Sequence, residues 1–365
     1  MPLSIHGTNG ITFNDGSTQN TRPAVGFKNR IINGDMRIDQ RNAGASVSVP
    51  NGTITYITDR WNVYEDTSGF ISSQRSTTAP DGYSNSLLVS VVGSGSATAV
   101  QACRLQQRIE GFNFSDLAFG TSSAQSVTIS FWVRSSLTGT YSVSIRNSSV
   151  ARSYVATYTI SSANTWERKT VTIAGDTSGT WLTDNGVGAF LDFDLGSGSN
   201  ANTTAGAWIG SDKYNTSSQA NWIGTASSTF YITGVQLEAG STATEFERRP
   251  YGTELALCQR YYYKTYDIST SVPTATFVGA VSGVVTAGGY PLIGGLSYKQ
   301  TMRATPTITI YNPSTNATSS VRDDSNVNGT IYFTQIGVDR FYYLANGGMT
   351  AGNQCYVQFI ASSEL

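Results

Sequence analysis

The sequence predicts an all-β protein, and three observations carry the prediction. Short runs of alternating apolar and polar residues, rich in β-branched and aromatic side chains, fill most of the chain and are broken about every 8–12 residues by Gly, Asn, Ser and Asp. Helical spacing is confined to one segment. Ser and Thr supply 92 of the 365 residues and charged residues only 13%, so the solvent faces of the strands are made of hydroxyls and amides. Period 2 with frequent turns indicates antiparallel sandwiches rather than βαβ units.

In chain order, residues 1–26 contain GITFNDGSTQ at 10–19, a short strand, a turn and a second short strand. That segment is too small to hold a core by itself, which takes about 40 residues. Residues 27–250 carry enough strand candidates for a full sandwich. At 127–133, Val127, Ile129, Phe131 and Val133 share one face; 141–145, 170–173 and 230–235 alternate in the same way. At 190–195, Leu191, Phe193 and Leu195 face one way, and Asp192 and Asp194 the other, toward solvent. Trp61, Trp132 and Trp166 lie inside or at the start of such runs and are expected in the core. The charged stretch EFERRPYG at 245–252 marks a boundary. Beyond it, residues 251–264 read as a helical connector, with Thr253 as cap and Leu255, Cys258 and Tyr262 at i, i+3 and i+7. Residues 265–365 form a smaller second β unit with strands at 307–311, 330–333, 341–344 and 355–360. Its apolar Phe359 and Ile360 are expected to be buried against a neighbour in an oligomer.

Composition excludes several functions. Lys plus Arg number 23 and Asp plus Glu 24, so no basic excess exists to neutralise phosphates, and no nucleic-acid partner is expected. No apolar run approaches the roughly 18 residues of a membrane span, and the opening MPLSIHGTNG has neither the charged nor the apolar region of a signal peptide. The 41 aromatics argue against disorder. Cys103, Cys258 and Cys355 are odd in number and widely spaced, as buried free thiols are, and do not form a disulfide framework or zinc site. His6 is the only histidine, so any Ser-His-Asp mechanism would have to run through a terminal segment.

Several motifs, in order, resemble a known family. The GITFNDGSTQ segment resembles the attachment segment at the start of tailed-bacteriophage fibre proteins. NRIINGDM at 29–36 resembles the first strand of a phage fibre module with a carbohydrate-binding-module-like jelly roll, as do DRW at 59–61, QQRIE at 106–110 and SFWVR at 130–134. The closing run is the most specific: ITGVQLEAG at 232–240, TATEFERR at 242–249 and PYGTELALCQRYY at 250–262. MRATPT at 302–307 and the final ASSEL are similar to fibre tips. The resemblance implies a virion structural protein, a homotrimeric tail fibre or receptor-binding protein. It would have an attachment segment at 1–26 contacting other virion proteins, a jelly-roll β-sandwich at 27–250 and a C-terminal β-sandwich tip at 265–365. The host-surface glycan is its expected partner and the virion its location. The alternatives are a capsid or neck decoration protein and, third, a polysaccharide depolymerase using Asp192, Asp194 or Glu238. No enzymatic activity is expected, because no acid cluster resembles a depolymerase site.

Candidate sites follow from the same reading. Sugar stacking needs exposed rings, and the Gly/Asn/Ser-rich stretch holding Trp208, Tyr214 and Trp222, with Trp181 beside Asp184 and Asn185, is the candidate. The alternative is that these rings pack in the core or between subunits. No cofactor is expected. The resemblance implies a structural calcium where first and last strands meet, with Asn33, Asp35 and Glu238 as hard-oxygen ligands. Gly234 and Gln236 stand where that family often has an acid, and the alternative is a turn bond for Asp35 and an Arg30 pair for Glu238. Of Tyr261, Tyr262 and Tyr263, at least one is expected to meet a neighbouring subunit or solvent, placing the trimer axis or the domain junction here.

Overall fold

On the strand Val127–Ser135, Val127, Ile129, Phe131 and Val133 are buried, while Trp132 and Arg134 on the opposite face are half-exposed. The computed structural model, which describes residues 27–292, 295–345 and 348–365 and the upstream strands Ser4–His6, Gly10–Thr12 and Thr18–Gln19, repeats that alternation in two antiparallel sheets. One has six strands in the order Glu167–Ile173, Val127–Ser135, Thr229–Ala239, Ser86–Gly93, Phe70–Ser76 and Val47–Val49. The other has seven: Trp208–Ile209, Ser153–Ile160, Gly139–Arg146, Val187–Asp194, Cys103–Glu110, Trp61–Glu65 and Thr55–Thr58. Their inner faces share one core, in which Phe131 meets Phe193 at 5.0 Å and Tyr158 at 4.9 Å between ring centroids. This sandwich is jelly-roll-like, and the described residues are all-β apart from the helix Tyr251–Gln259 and three short 3₁₀ turns. Among the described residues no helix is long and apolar enough to cross a membrane.

The upstream strands pair as a three-stranded antiparallel sheet, Ile11 opposite Gln19 and Ile5. The rest of the attachment segment expected at 1–26 lies outside the described residues. The segment 29–36, expected as a first strand, forms no ladder. It follows the strand Thr229–Ala239 through the Arg30 amide, which donates to the Leu237 carbonyl at 2.8 Å, and through the Asn29 side chain, which receives from the Leu237 amide and donates to the Val235 carbonyl. A side chain has taken over bonds that backbone would make in a regular strand.

The C-terminal unit wraps around the strand Gln354–Ser362. The first half of that strand pairs with Val281–Val285 and Ser320–Asp323, the second half with Tyr262–Lys264 and Thr307–Tyr311. Phe359 is buried in this unit's own core with Tyr263, Tyr298 and Phe341, and Ile360 is half-buried, so the chain itself covers positions assigned to an oligomer contact. The helix begins three residues earlier than the capping pattern suggested. Pro250 occupies the N-cap, and Thr253 lies within the first turn. All three cysteines are buried and free, as read from the sequence.

The three tyrosines after the helix are all buried, each in a different place. Tyr261 lies under the Arg60 guanidinium, 3.6 Å from its ring centre, and donates to Glu110; Tyr262 lies under Arg41 at 3.8 Å; Tyr263 enters the C-terminal core. A chain crossing between two cores can serve both and the seam between them, so none needs a neighbouring subunit to cover it. The seam itself is ionic: Glu364, nearly buried, accepts from Arg41 and Arg60, and Arg260 makes a two-pronged pair with Glu110. Arg303 and Asn185 exchange bonds through each other's backbone carbonyls.

Candidate functional site

The rings expected to contact sugar are mostly spent on protein. Trp222 is fully buried, Trp181 stacks on Phe114, and Tyr214 is clamped between Arg104 and Arg146. Trp208 is half-exposed, but Phe119, Tyr154 and Trp181 pack around it edge to face at 5.3–5.7 Å. The segment around them does open two adjoining depressions of about 500 and 240 Å³, sharing Asn202, Thr216 and Ser217. Their walls are hydroxyls and amides, and no ring lines them, so they offer no stacking platform.

The calcium candidates do not converge. The Asn33 side chain closes its own loop through both Ile38 backbone groups and the Asp59 carbonyl. Asp35 pairs with Arg37. Glu238 accepts from Gln236 and from the Thr244 amide and hydroxyl, at 2.6–2.9 Å, while Arg30 pairs with Asp116 instead. With Asn33, Asp35 and Glu238 engaged in three separate ways, these residues do not fit a calcium ion. Among the described residues no group of three or more acids, cysteines or histidines is placed to hold a metal.

Asp192 and Asp194 do share a face, opposite the buried Leu191, Phe193 and Leu195, but that face is buried rather than solvated. Asp192 accepts from Arg146 at 2.9 Å and Gln106 at 2.6 Å, with Arg104 at 3.5 Å. Burial would raise its pKa, but the two guanidiniums and these hydrogen bonds hold the carboxyl below the usual range. A glycosidase acid must hold a proton near neutral pH, and Asp192 does not. Burial pushes Asp194 the other way, up to about 6.

A cluster of half-exposed rings lies on the outer face of the six-stranded sheet. With Phe131 and Val133 turned inward, Trp132 must turn outward, and so must Arg134 two residues on. Trp166, also expected in the core, is likewise half-exposed. Trp132 floors a cleft of about 230 Å³ lined by Asp81, Tyr83, Arg168, Glu245, Phe246 and Arg248. Arg168 is its cross-strand partner. One wall is the return segment after the strand Thr229–Ala239, pinned over the sheet by bonds from Thr128 to the Gly240 carbonyl and from Arg168 to the Thr244 carbonyl. The other wall is the turn that carries Tyr83, whose amide bonds to the Pro80 carbonyl. Tyr83 and Phe246 meet edge to face at 5.5 Å, and Arg248 lies 4.7 Å from the Tyr83 ring centre. Farther along the same face Arg134 covers Tyr231 at 4.9 Å, and Trp166 meets Tyr231 at 6.1 Å. Tyr83, Phe246 and Arg248 carried no signal in the sequence reading; Trp132 did, in the parity of its neighbours.

Gly234 sets the position of Tyr83. Its φ is +62°, beside an irregular register in the pairing with Val127–Ser135, and a Cβ there would lie 2.8 Å from the tyrosine ring and hydroxyl. Gly234→Ala is expected to cost about 1–2 kcal/mol in backbone strain and to push Tyr83 off the cleft. Gly52→Ala is the control, because φ there is +70° with nothing within 4 Å of the added Cβ. Thermal denaturation should show Gly234→Ala falling further; equal losses would mean that Tyr83 does not rest on Gly234.

Comparison with known proteins yields no matching family model and no matching curated protein. Solved structures do match at low similarity. The enzymatically active domain of tailspike protein 4 of bacteriophage CBA120 is 15% identical with a TM-score of 0.29, covering 58% of this chain; the match spans 21% of the tailspike domain's length. The family 11 carbohydrate-binding module of a Clostridium thermocellum cellulosomal cellulase is 11% identical, with a TM-score of 0.28 over 55% of this chain and 99% of the module. The N-terminal cellulose-binding domain of Cellulomonas fimi β-1,4-glucanase C is 14% identical, with a TM-score of 0.24 over 50% of this chain and 90% of that domain. At this level, what those proteins bind or cleave says nothing of this chain.

Proposed function

We propose that this chain is a virion structural protein of a tailed phage, a homotrimeric tail fibre that binds host-surface glycan without cleaving it. The glycan contact is the Trp132 cleft. The observation that carries the reading is a half-exposed indole on a sheet face, flanked by Tyr83 and Phe246 and rimmed by arginines and carboxylates. A ring face stacks on the apolar face of a sugar, and the charged rim bonds its hydroxyls. Such a cleft binds weakly on its own, and three copies in a trimer supply avidity. The ordered sequence motifs support the phage assignment, with residues 1–26 as the attachment segment.

Four measurements test this. Trp132→Ala is expected to lower glycan capture about tenfold or more, at a cost of about 1.5 kcal/mol or above, while circular dichroism stays unchanged because the indole is half-exposed; unchanged capture removes the cleft from the proposal. Mass measurement in solution should give a trimer, and a stable monomer near 39.0 kDa would contradict it. Antibody against residues 265–365 should label the virion tail; label on the head would favour the decoration-protein reading. Incubation with host polysaccharide should release no reducing ends.

A further inference from the structure

Nine arginines elsewhere in the chain, from Arg30 to Arg260, are ion-paired, while Arg75, Arg303 and Arg322 bond to backbone carbonyls or side-chain amides. Arg134, Arg168 and Arg248, all on the outer face of the six-stranded sheet, pair with no carboxylate among the described residues. Arg134 donates to the Asn164 carbonyl and Arg168 to the Thr244 carbonyl, each through one nitrogen, and Arg248 covers the rings of Tyr83 and Phe246. Each guanidinium has five N–H donors, so most of them face outward unused. The carboxylates of Asp81 and Glu245 line the same cleft and are exposed, and Glu238, opposite Thr128 on this face, is buried and engaged by Gln236 and Thr244, so three guanidiniums stand against two exposed carboxylates.

We infer that the ligand of this face is an acidic saccharide. This rests on the glycan reading of the cleft and names its class. A sugar ring on Trp132 would present its carboxylate to Arg168 and Arg248, with the two-pronged geometry that guanidinium and carboxylate share. Asp81 and Glu245 would accept from the ring hydroxyls. Arg134 and the Tyr231–Trp166 pair lie about 7 Å farther along the strand, close enough to engage the next residue of the same polymer. A neutral glycan would leave the three guanidiniums without an anionic partner.

The test uses the full-length protein on an array of acidic bacterial surface polysaccharides, each printed in its native form and after reduction of its carboxyl groups to alcohols. The native forms should be captured preferentially, and a roughly tenfold rise in salt should weaken that capture alone. The double variant R168Q/R248Q should lose about tenfold more in capture of native forms than in capture of reduced forms. R168K/R248K, which keeps the charge but not the fork, should fall between. Equal wild-type capture of both forms, lost on Trp132→Ala, overturns the acidic assignment and leaves the glycan site standing. Capture indifferent to Trp132→Ala, or no capture of either form, overturns the glycan reading and this inference with it.

Discussion

Replacing Asp192 with alanine is expected to destabilise the sandwich by about 3–5 kcal/mol, as removal of one partner of a buried ion pair does. The carboxylate is fully buried on the outer face of the seven-stranded sheet, and Arg146, whose Nε bonds to it at 2.9 Å, is nearly as buried. Without Asp192, Arg146 keeps only the half-exposed Asp212 at 2.5 Å. The guanidinium is also one rung of a stack: Arg104 lies between Tyr64 and Tyr214, Arg146 between Tyr214 and Phe190, and Arg108 over Phe190. Loss of Asp192 therefore loosens Tyr214 and the loop that carries it. Denaturant unfolding of Asp192→Ala, Arg146→Met and the double variant checks this. The double variant should recover much of the loss, because it removes both charges. A single-variant loss below about 1 kcal/mol would show that the pair contributes no more than an exposed one. The depressed pKa of Asp192 also fixes the sign with pH: its stabilisation is complete above the unfolded value near 4 and is lost as pH falls through the lower folded value.

The strands were legible because one physical rule, alternation on a half-buried pleat, governs both the residues and the fold. The run 307–311 coincides with the strand Thr307–Tyr311, and 127–133 lies within Val127–Ser135. The same rule, applied strictly, would have found the cleft. Phe131 and Val133 inward put Trp132 outward, and treating every tryptophan in a strand as core overrode its parity. The walls of the cleft were not legible, since Phe246 and Arg248 stand on an irregular segment whose path depends on Thr128, Arg168 and Gln236 from other parts of the sheet. The burial of Asp192 was hidden for a similar reason. Its partners Arg104, Gln106 and Arg146 come from two neighbouring strands, and only the register, Asp192 opposite Gln106 and Ser144, brings them together. The tyrosine triplet was read as though one core had to hold it, when two cores meet at that point.

Stability is expected to peak near pH 4 and to fall as pH rises to about 6, because two other buried aspartates titrate in the opposite sense from Asp192. Burial raises Asp59 and Asp194 from 3.8 to about 6. Asp59 accepts from the Gln40 amide at 2.6 Å and its side chain at 2.8 Å, and Asp194 accepts at one oxygen from the Gly196 and Ser197 amides while its other oxygen is buried without a partner. Those bonds do not offset the loss of water around the charge. Between pH 4 and 6 the folded state binds more protons than the unfolded chain, so the unfolding free energy declines as pH rises through that window. Each group lowers stability at neutral pH by about 3 kcal/mol relative to a carboxyl that titrates alike folded and unfolded. Asp59→Asn and Asp194→Asn replace the charge with a neutral amide of the same shape, and each should flatten the decline in melting temperature from pH 4 to 6, the pair together most of all. A melting temperature that rises over that range in the wild type would mean that both carboxyls ionise as freely as in water, and that the outer face of the seven-stranded sheet is wet.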